Sequence, residues 1–226
     1  MLTQSITKNS LILGAFALVT AGVLAVTHLQ TKNKIALAER KAAQAALLEI
    51  LPAHTHDNDL LTDTWNIPES LRSNLNVPAS SNIHIARQSG VPTAAIIPSV
   101  ATDGYSGDIS FIVGIEKSGR IAGVRVLSHK ETPGLGDKVD IKKSDWILGF
   151  NSKSLTNPSI ANWKVVKDGG TFDQFTGATI TPRALVKQIA TTLSFFEKNQ
   201  DNIFSKRTGQ SREQTTETLK VRALNK

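Results

Sequence analysis

The residues best suited to chemistry lie in two loops. One is Asp173-Gln174-Phe175-Thr176-Gly177-Ala178-Thr179-Ile180-Thr181-Pro182, which follows a Gly169-Gly170 turn. It gathers threonine hydroxyls and one carboxylate among small residues, immediately before a segment with helix-start signals. Thr181 suits the cap of a helix whose first residue is Pro182, because proline lacks only an N–H that would be orphaned there. Backbone donors and the helix dipole at such a start favour an anion such as a phosphate. The other loop is Ser128-His129-Lys130-Glu131-Thr132-Pro133-Gly134-Leu135-Gly136-Asp137. His129 and Glu131 suit an acid–base pair, and equally a loop histidine beside a surface carboxylate. A third polar run, His54-Thr55-His56-Asp57-Asn58-Asp59, has two histidines but no further ligands nearby, so it reads as a solvated loop rather than a metal site.

Several chemistries are excluded. There is no dinucleotide GxGxxG, no phosphate loop with its lysine, no HExxH and no nucleophile elbow. Zero cysteines rule out disulfides, thiolate zinc, cysteine-ligated iron–sulfur clusters and thioether haem, and leave the redox compartment open. The net charge is +7, but the Lys and Arg are thinly spread and lack interleaved aromatics, so nucleic acid is not an expected partner. At 226 residues, 40% apolar and 20% charged, the chain has room for one sizeable domain plus an appendage.

The elements that must position the two loops follow from hydrophobic spacing. Residues 1–10 are a short leader to an apolar stretch, Leu11 to Leu29, which matches the roughly 20 residues of a membrane-spanning helix. A cleaved signal peptide is the rival, with a shorter apolar region and a small-x-small site that is not evident here. Gly14, Ala17, Ala21 and Ala25 share one helical face, suited either to close helix packing in lipid or to an unspecific alanine-rich anchor. A helical connector over 31–52 stops at Pro52. Residues 57–90 read as irregular, broken by Pro68 and Pro78. A short strand from Thr93 to Ile97 is stopped by Pro98. Ile109, Phe111, Val113 and Ile115 then alternate, and Ile121 to Leu127 returns after Lys117-Ser118-Gly119-Arg120, giving a β-hairpin. Lys143 to Phe150 fits a short helix, 162–166 and 172–176 two strands, and 182–198 a helix. The folded domain spans 53–204, and 205–226 is a polar tail.

Asp173-x-x-Thr176-Gly177-Ala178-Thr179 resembles the acceptor motif for covalent flavinylation, where a flavin transferase attaches FMN through its phosphate to the last threonine. The Ser128 to Gly136 loop resembles a second block of the same FMN-binding domain. Trp146, Trp163 and the run from Val165 to Gly170 resemble its connecting segments. With the N-terminal apolar stretch, the chain is similar over most of residues 1–200 to the G subunits of Rnf (Rsx) ion-translocating electron transport complexes. The C subunit of the sodium-translocating NADH:quinone reductase is a more distant likeness.

The resemblance implies an α+β fold: one N-terminal transmembrane helix, then a single FMN-binding domain with antiparallel strands and flanking helices. It implies that Thr179 carries the FMN phosphoester, that Gly177 and Ala178 leave clearance, and that Thr176 gives local support. Asp173 would serve recognition by the transferase through magnesium. His129, Glu131, Thr132, Leu135 and Gly136 would border the isoalloxazine or ribityl chain. The implied function is relay of electrons within a membrane complex that couples electron transfer to ion translocation. The implied partners are the other subunits, the flavin transferase and the lipid bilayer of the bacterial inner membrane, with the domain periplasmic. The charges Lys32, Lys34, Arg40 and Lys41 after the apolar stretch lean the other way, toward a cytoplasmic domain; the resemblance outweighs so small an asymmetry. A rival reading is a membrane-anchored accessory domain without redox function, which would not need both loops.

Overall fold

The computed structural model describes residues 13–25, 31 and 44–205. The chain divides into two compact units, Met1–Ala45 and Ala46–Lys226. In the first, residues 13–25 are helical. Among the described residues, no helix is long and apolar enough to cross a membrane. The ends of the expected apolar span, most of the expected connector and the tail from 206 onward lie outside the described residues.

The second unit is built on a five-stranded antiparallel meander whose order in space is its order in sequence, β1 to β5. The strands are β1 Thr64–Asn66, β2 Asn82–Gln88, β3 Val91–Ala101, β4 Ile109–Glu116 and β5 Ile121–Ser128. Side chains alternate across a strand, and here both faces find cover. Ile109, Phe111, Val113 and Ile115 of β4 join Ala95 and Ile97 of β3 in the main core, beneath the long helix Ile180–Ser205. On the opposite face Ile112, Ile96 and Ala94 pack against Leu47, Ile50, Leu51 and Leu60 in a smaller core. The cross-strand pair Gly114 and Gly123 makes room for this second layer: a Cβ on Gly123 would sit 3.5 Å from Cγ2 of Ile50, and one on Gly114 would overlap it.

The expected hairpin is β4–β5. Elsewhere the structure corrects the sequence reading. Residues 57–90 are not irregular; they hold β1, the short helix Glu69–Leu75 and β2. Pro68 occupies the cap position just before that helix, where its missing N–H costs nothing, and Asn76 ends it in the left-handed region at φ 55°. Nor does Pro98 stop β3, which runs on to Ala101. Pairing with β2 ends at Ile96 and Pro98 faces Ile112 of β4 alone, so no ladder bond is lost on the β2 side. The two strands expected within 162–176 do not form. That stretch makes 3-10 turns at Ile160–Asn162 and Val166–Asp168, with one isolated parallel bridge between Val165 and Phe172. Its apolar residues are inserted as individual anchors: Phe172 stacks on Phe150 with centroids 4.7 Å apart and lies 4.8 Å from Trp163. The short helix before it is a 3-10 turn, Asp145–Phe150, with the Ser144 hydroxyl accepting from the Trp146 N–H.

His84 of β2 gives the domain a pH-dependent stability. Its Nδ1 lies 2.8 Å from the Leu60 carbonyl. Desolvation holds its pKa below the ordinary histidine value of 6.5, outweighing the opposing pull of that carbonyl and of Asp59. The unfolded chain therefore takes up this proton more readily than the folded one, so His84 lowers stability as pH falls through about 6.5 and leaves it unaffected above. Urea unfolding at pH 7.5 and 5.5 should show a loss of stability that is smaller in His84→Gln. An equal loss in both proteins would exclude His84 as the source.

Candidate functional site

The loop 173–179 enters the long helix from an aromatic anchor. Phe175, 6% exposed, lies edge-on to Trp146 at 5.0 Å, and Trp146 lies 5.1 Å from Phe150. The Trp146 indole N–H donates to the Asp173 carbonyl at 2.8 Å, and the backbone N–H of Lys167 donates to Oε1 of Gln174 at 3.0 Å. Ala178 N–H closes a turn onto the Phe175 carbonyl at 3.1 Å. Gly177, the third residue of that turn, has φ 83°, a conformation that glycine adopts without strain. Thr176 and Gly177 thus form an exposed tip, Asp173 projects at the surface, and Thr179 is half-buried.

The second loop is held by its own hydrogen bonds. Leu135 and Gly136 N–H groups both donate to the Thr132 carbonyl at 3.1 Å, and Gly134 N–H donates to Oδ1 of Asp137 at 2.8 Å. Glu131 is 4% exposed. Its Oε1 accepts from the Ser106 N–H at 2.9 Å, and its Oε2 accepts from the Thr181 hydroxyl. Two distant loops and the first turn of the long helix therefore meet on one carboxylate. Gly136 packs so closely there that a Cβ would lie 2.8 Å from both Oε2 of Glu131 and Oγ1 of Thr181. The expected Thr181 cap is a correction: the helix starts at Ile180, and the Thr181 side chain points to Glu131 rather than to its own backbone.

Between the loops lies a cavity of about 290 Å³. Glu131, Thr132 and Gly136 line it from one loop, and Gly177, Ala178 and Thr179 from the other. Its mouth carries Tyr105, Leu135 and Ile180, which are 67%, 42% and 44% exposed. Three anticipated residues stand outside the lining. His129 lies behind it, its Nδ1 accepting from the Glu131 N–H at 3.1 Å, so no acid–base pair with the Glu131 carboxylate forms. Thr176 is at the tip, and Asp173 meets Trp146 through its backbone. Sequence reasoning missed Tyr105, Ile180 and Thr181 as lining residues. The available signal for Tyr105 was that the chain's one tyrosine falls in a glycine-flanked loop between two strands.

Two of the cations on the first turns of the helix are already paired. Arg183 makes a two-pronged contact with Asp168, at 2.6 and 2.8 Å, and this hydrogen bonding holds the Asp168 carboxyl below its usual range. Lys187 pairs with Asp103 at 2.8 Å. An anion at Thr179 would therefore rely on the unpaired N–H groups of the first helical turn. The residues fit FMN on these grounds: a hydroxyl at a helix start for the phosphate, a glycine-cleared floor, hydrogen-bonding groups within, and apolar groups at the rim. The volume is at the lower end of the roughly 300–1,000 Å³ of ligand pockets, so part of the group would lie at the mouth.

The run 54–59 serves structure. Asp57 accepts from the Ser89 N–H, and Asn58 bonds Asp63, the Ile85 carbonyl and the Arg87 N–H. Among the described residues, no group of three or more His, Cys, Asp or Glu could hold a metal ion.

The fold belongs to a recognised class: residues 104–194 match the FMN-binding domain, a span that includes both loops, Tyr105 and the first half of the long helix. Residues 1–50 match the RnfG N-terminal region. The chain is 45% identical over 202 residues to the G subunit of the ion-translocating oxidoreductase complex of Pseudoalteromonas atlantica, covering 89% of this chain and 93% of that one. The proteins of the same description from Pseudomonas aeruginosa strain UCBPP-PA14 and Vibrio parahaemolyticus are 45% and 46% identical, over 89% and 91% of this chain and 94% and 95% of theirs. The chain belongs to the family of G subunits of ion-translocating oxidoreductase complexes.

Proposed function

We propose that this chain is a flavoprotein subunit of such a complex, carrying FMN as a phosphoester on Thr179 and relaying electrons between its neighbours. The observation that carries the reading is the convergence of Thr179, Gly177 and Ala178 with Glu131, Thr132, Leu135 and Gly136 on one cavity at the start of a long helix. FMN supplies the redox chemistry. The protein's own task is to bind and orient it. The helix start offers N–H groups and a favourable dipole to the phosphate, and Gly136 lets the two loops close on each other. The exposed tip Thr176-Gly177 and the exposed Asp173 leave the acceptor accessible to a flavin transferase.

The N-terminal stretch is read as the bilayer anchor. Leu13, Phe16, Leu18, Val19, Val23 and Leu24 are all more than 60% exposed, as side chains that meet lipid would be. The domain is assigned to the periplasmic face of the bacterial inner membrane, with the other subunits as partners.

The test is the intact mass of the full chain made with and without a flavin transferase. Co-expression should add one FMN less one water and give a fluorescent band that survives denaturing electrophoresis. Unmodified, colourless protein under both conditions would favour the accessory-domain reading. Protease added to the outside of intact spheroplasts should degrade the domain; full protection would overturn the periplasmic assignment.

A further inference from the structure

We propose that Tyr105 covers one face of the isoalloxazine ring of the FMN held at Thr179, an assignment that rests on the function proposed above. Tyr105 lies 67% exposed at the mouth of the cavity that Thr179 lines. Single exposed apolar side chains need no explanation, but a cluster rimming a cavity marks a binding surface. Leu135 and Ile180 complete that cluster from the second loop and the helix start.

An exposed tyrosine on a floppy loop would carry little. This loop is tied to the domain on either side of the tyrosine, most firmly at Ser106. Asp103 is paired with Lys187 of the long helix at 2.8 Å, and the Ser106 N–H donates to Glu131 at 2.9 Å. Gly104 packs so tightly that a Cβ would lie 3.1 Å from Oε1 of Glu131 and 3.2 Å from Cδ1 of Ile109. Glu131 is in turn held by Thr181, two residues beyond the attachment threonine. One buried carboxylate therefore ties the tyrosine loop to the anchor of the phosphate. Glu131 acts as a positioning residue: with both oxygens engaged by Ser106 and Thr181, it sets the distance between ring cover and tether. Among the described residues the Tyr105 hydroxyl has no hydrogen-bond partner, so nothing prevents the ring from lying against a planar ligand. Offset aromatic stacking favours such a pair by up to about tenfold over an unstacked arrangement.

The covalent tether makes this readable, because the flavin stays on the chain when the stack is removed. The full chain and its Tyr105→Leu and Tyr105→Phe variants are made with a flavin transferase, and emission is divided by covalent flavin from absorbance. A stacked phenol quenches flavin emission and shields the ring from iodide. Tyr105→Leu should raise emission per flavin several-fold and increase iodide quenching, while Tyr105→Phe should restore the shielding from iodide. Emission and iodide access unchanged in Tyr105→Leu would overturn the stacking assignment while leaving the flavin on Thr179. A wild-type chain without covalent flavin would instead overturn the function on which it rests.

Discussion

Thr179→Val should abolish covalent flavin: no fluorescent band after denaturing electrophoresis, and an intact mass equal to the bare chain even with the transferase present. Valine keeps the shape and removes only the hydroxyl oxygen that would form the phosphoester. The structural role of the position survives the change, since its contribution to the helix start is the carbonyl that accepts from the Arg183 N–H at 3.2 Å. Thr179 is half-buried in a surface loop, so the cost in stability should stay within about 0.5 kcal/mol. Loss of flavin with an unchanged melting curve would therefore report chemistry and not unfolding. Retention of the flavin would move the acceptor to Thr176 or Thr181. Thr181 is the poorer candidate, because its hydroxyl is engaged with the buried Glu131 carboxylate.

The largest expected effect on stability lies far from that site, in Asp63→Ala. Arg87 of β2 is 5% exposed, and its Nε donates to Oδ2 of Asp63 at 2.8 Å. The same oxygen accepts from Asn58 at 3.0 Å, while Nη2 of Arg87 is buried and, among the described residues, has no hydrogen-bond partner. Removing Asp63 would leave a guanidinium in the interior without its counter-charge. Breaking a buried pair from one side costs about 3–5 kcal/mol, whereas replacing both partners by apolar residues of similar size is often close to neutral. Asp63→Ala should therefore lower the urea midpoint strongly, and Asp63→Leu combined with Arg87→Met should recover most of the loss. A midpoint shift in Asp63→Ala no larger than that of an ordinary surface substitution would show that the charge is solvated after all.

What was legible in the sequence was local. The β4–β5 hairpin announced itself because Ile109, Phe111, Val113 and Ile115 alternate on a strand whose other face is less apolar. Seven of the ten residues expected at the site converge on one cavity because both loops carry their own turn chemistry, glycine and threonine at fixed offsets. Several of the misreadings share a cause: a local signal was outweighed by a partner distant in sequence. Pro98 is tolerated because β2 ends its pairing before reaching it. Phe172 and Phe175 look like strand residues but are recruited by Phe150 and Trp146 into an aromatic cluster. Thr181 has the sequence context of a helix cap, yet a carboxylate fifty positions earlier claims its hydroxyl. Tyr105 gave only a faint signal for the same reason, since its loop reaches the cavity through the meander and through Glu131.

The cavity beside Thr179 is small, and its rim residues are largely exposed. A free flavin in such a site would bind weakly and leave readily. The proposed phosphoester on Thr179 would change the terms of the problem: the flavin's effective concentration at the pocket would become that of a short tether, on the order of millimolar or above. Contacts too weak to retain a diffusing ligand then suffice to decide how the ring is oriented. The pocket would thereby be released from selecting for affinity, and its open side would remain free for the flavin to meet a neighbouring redox centre.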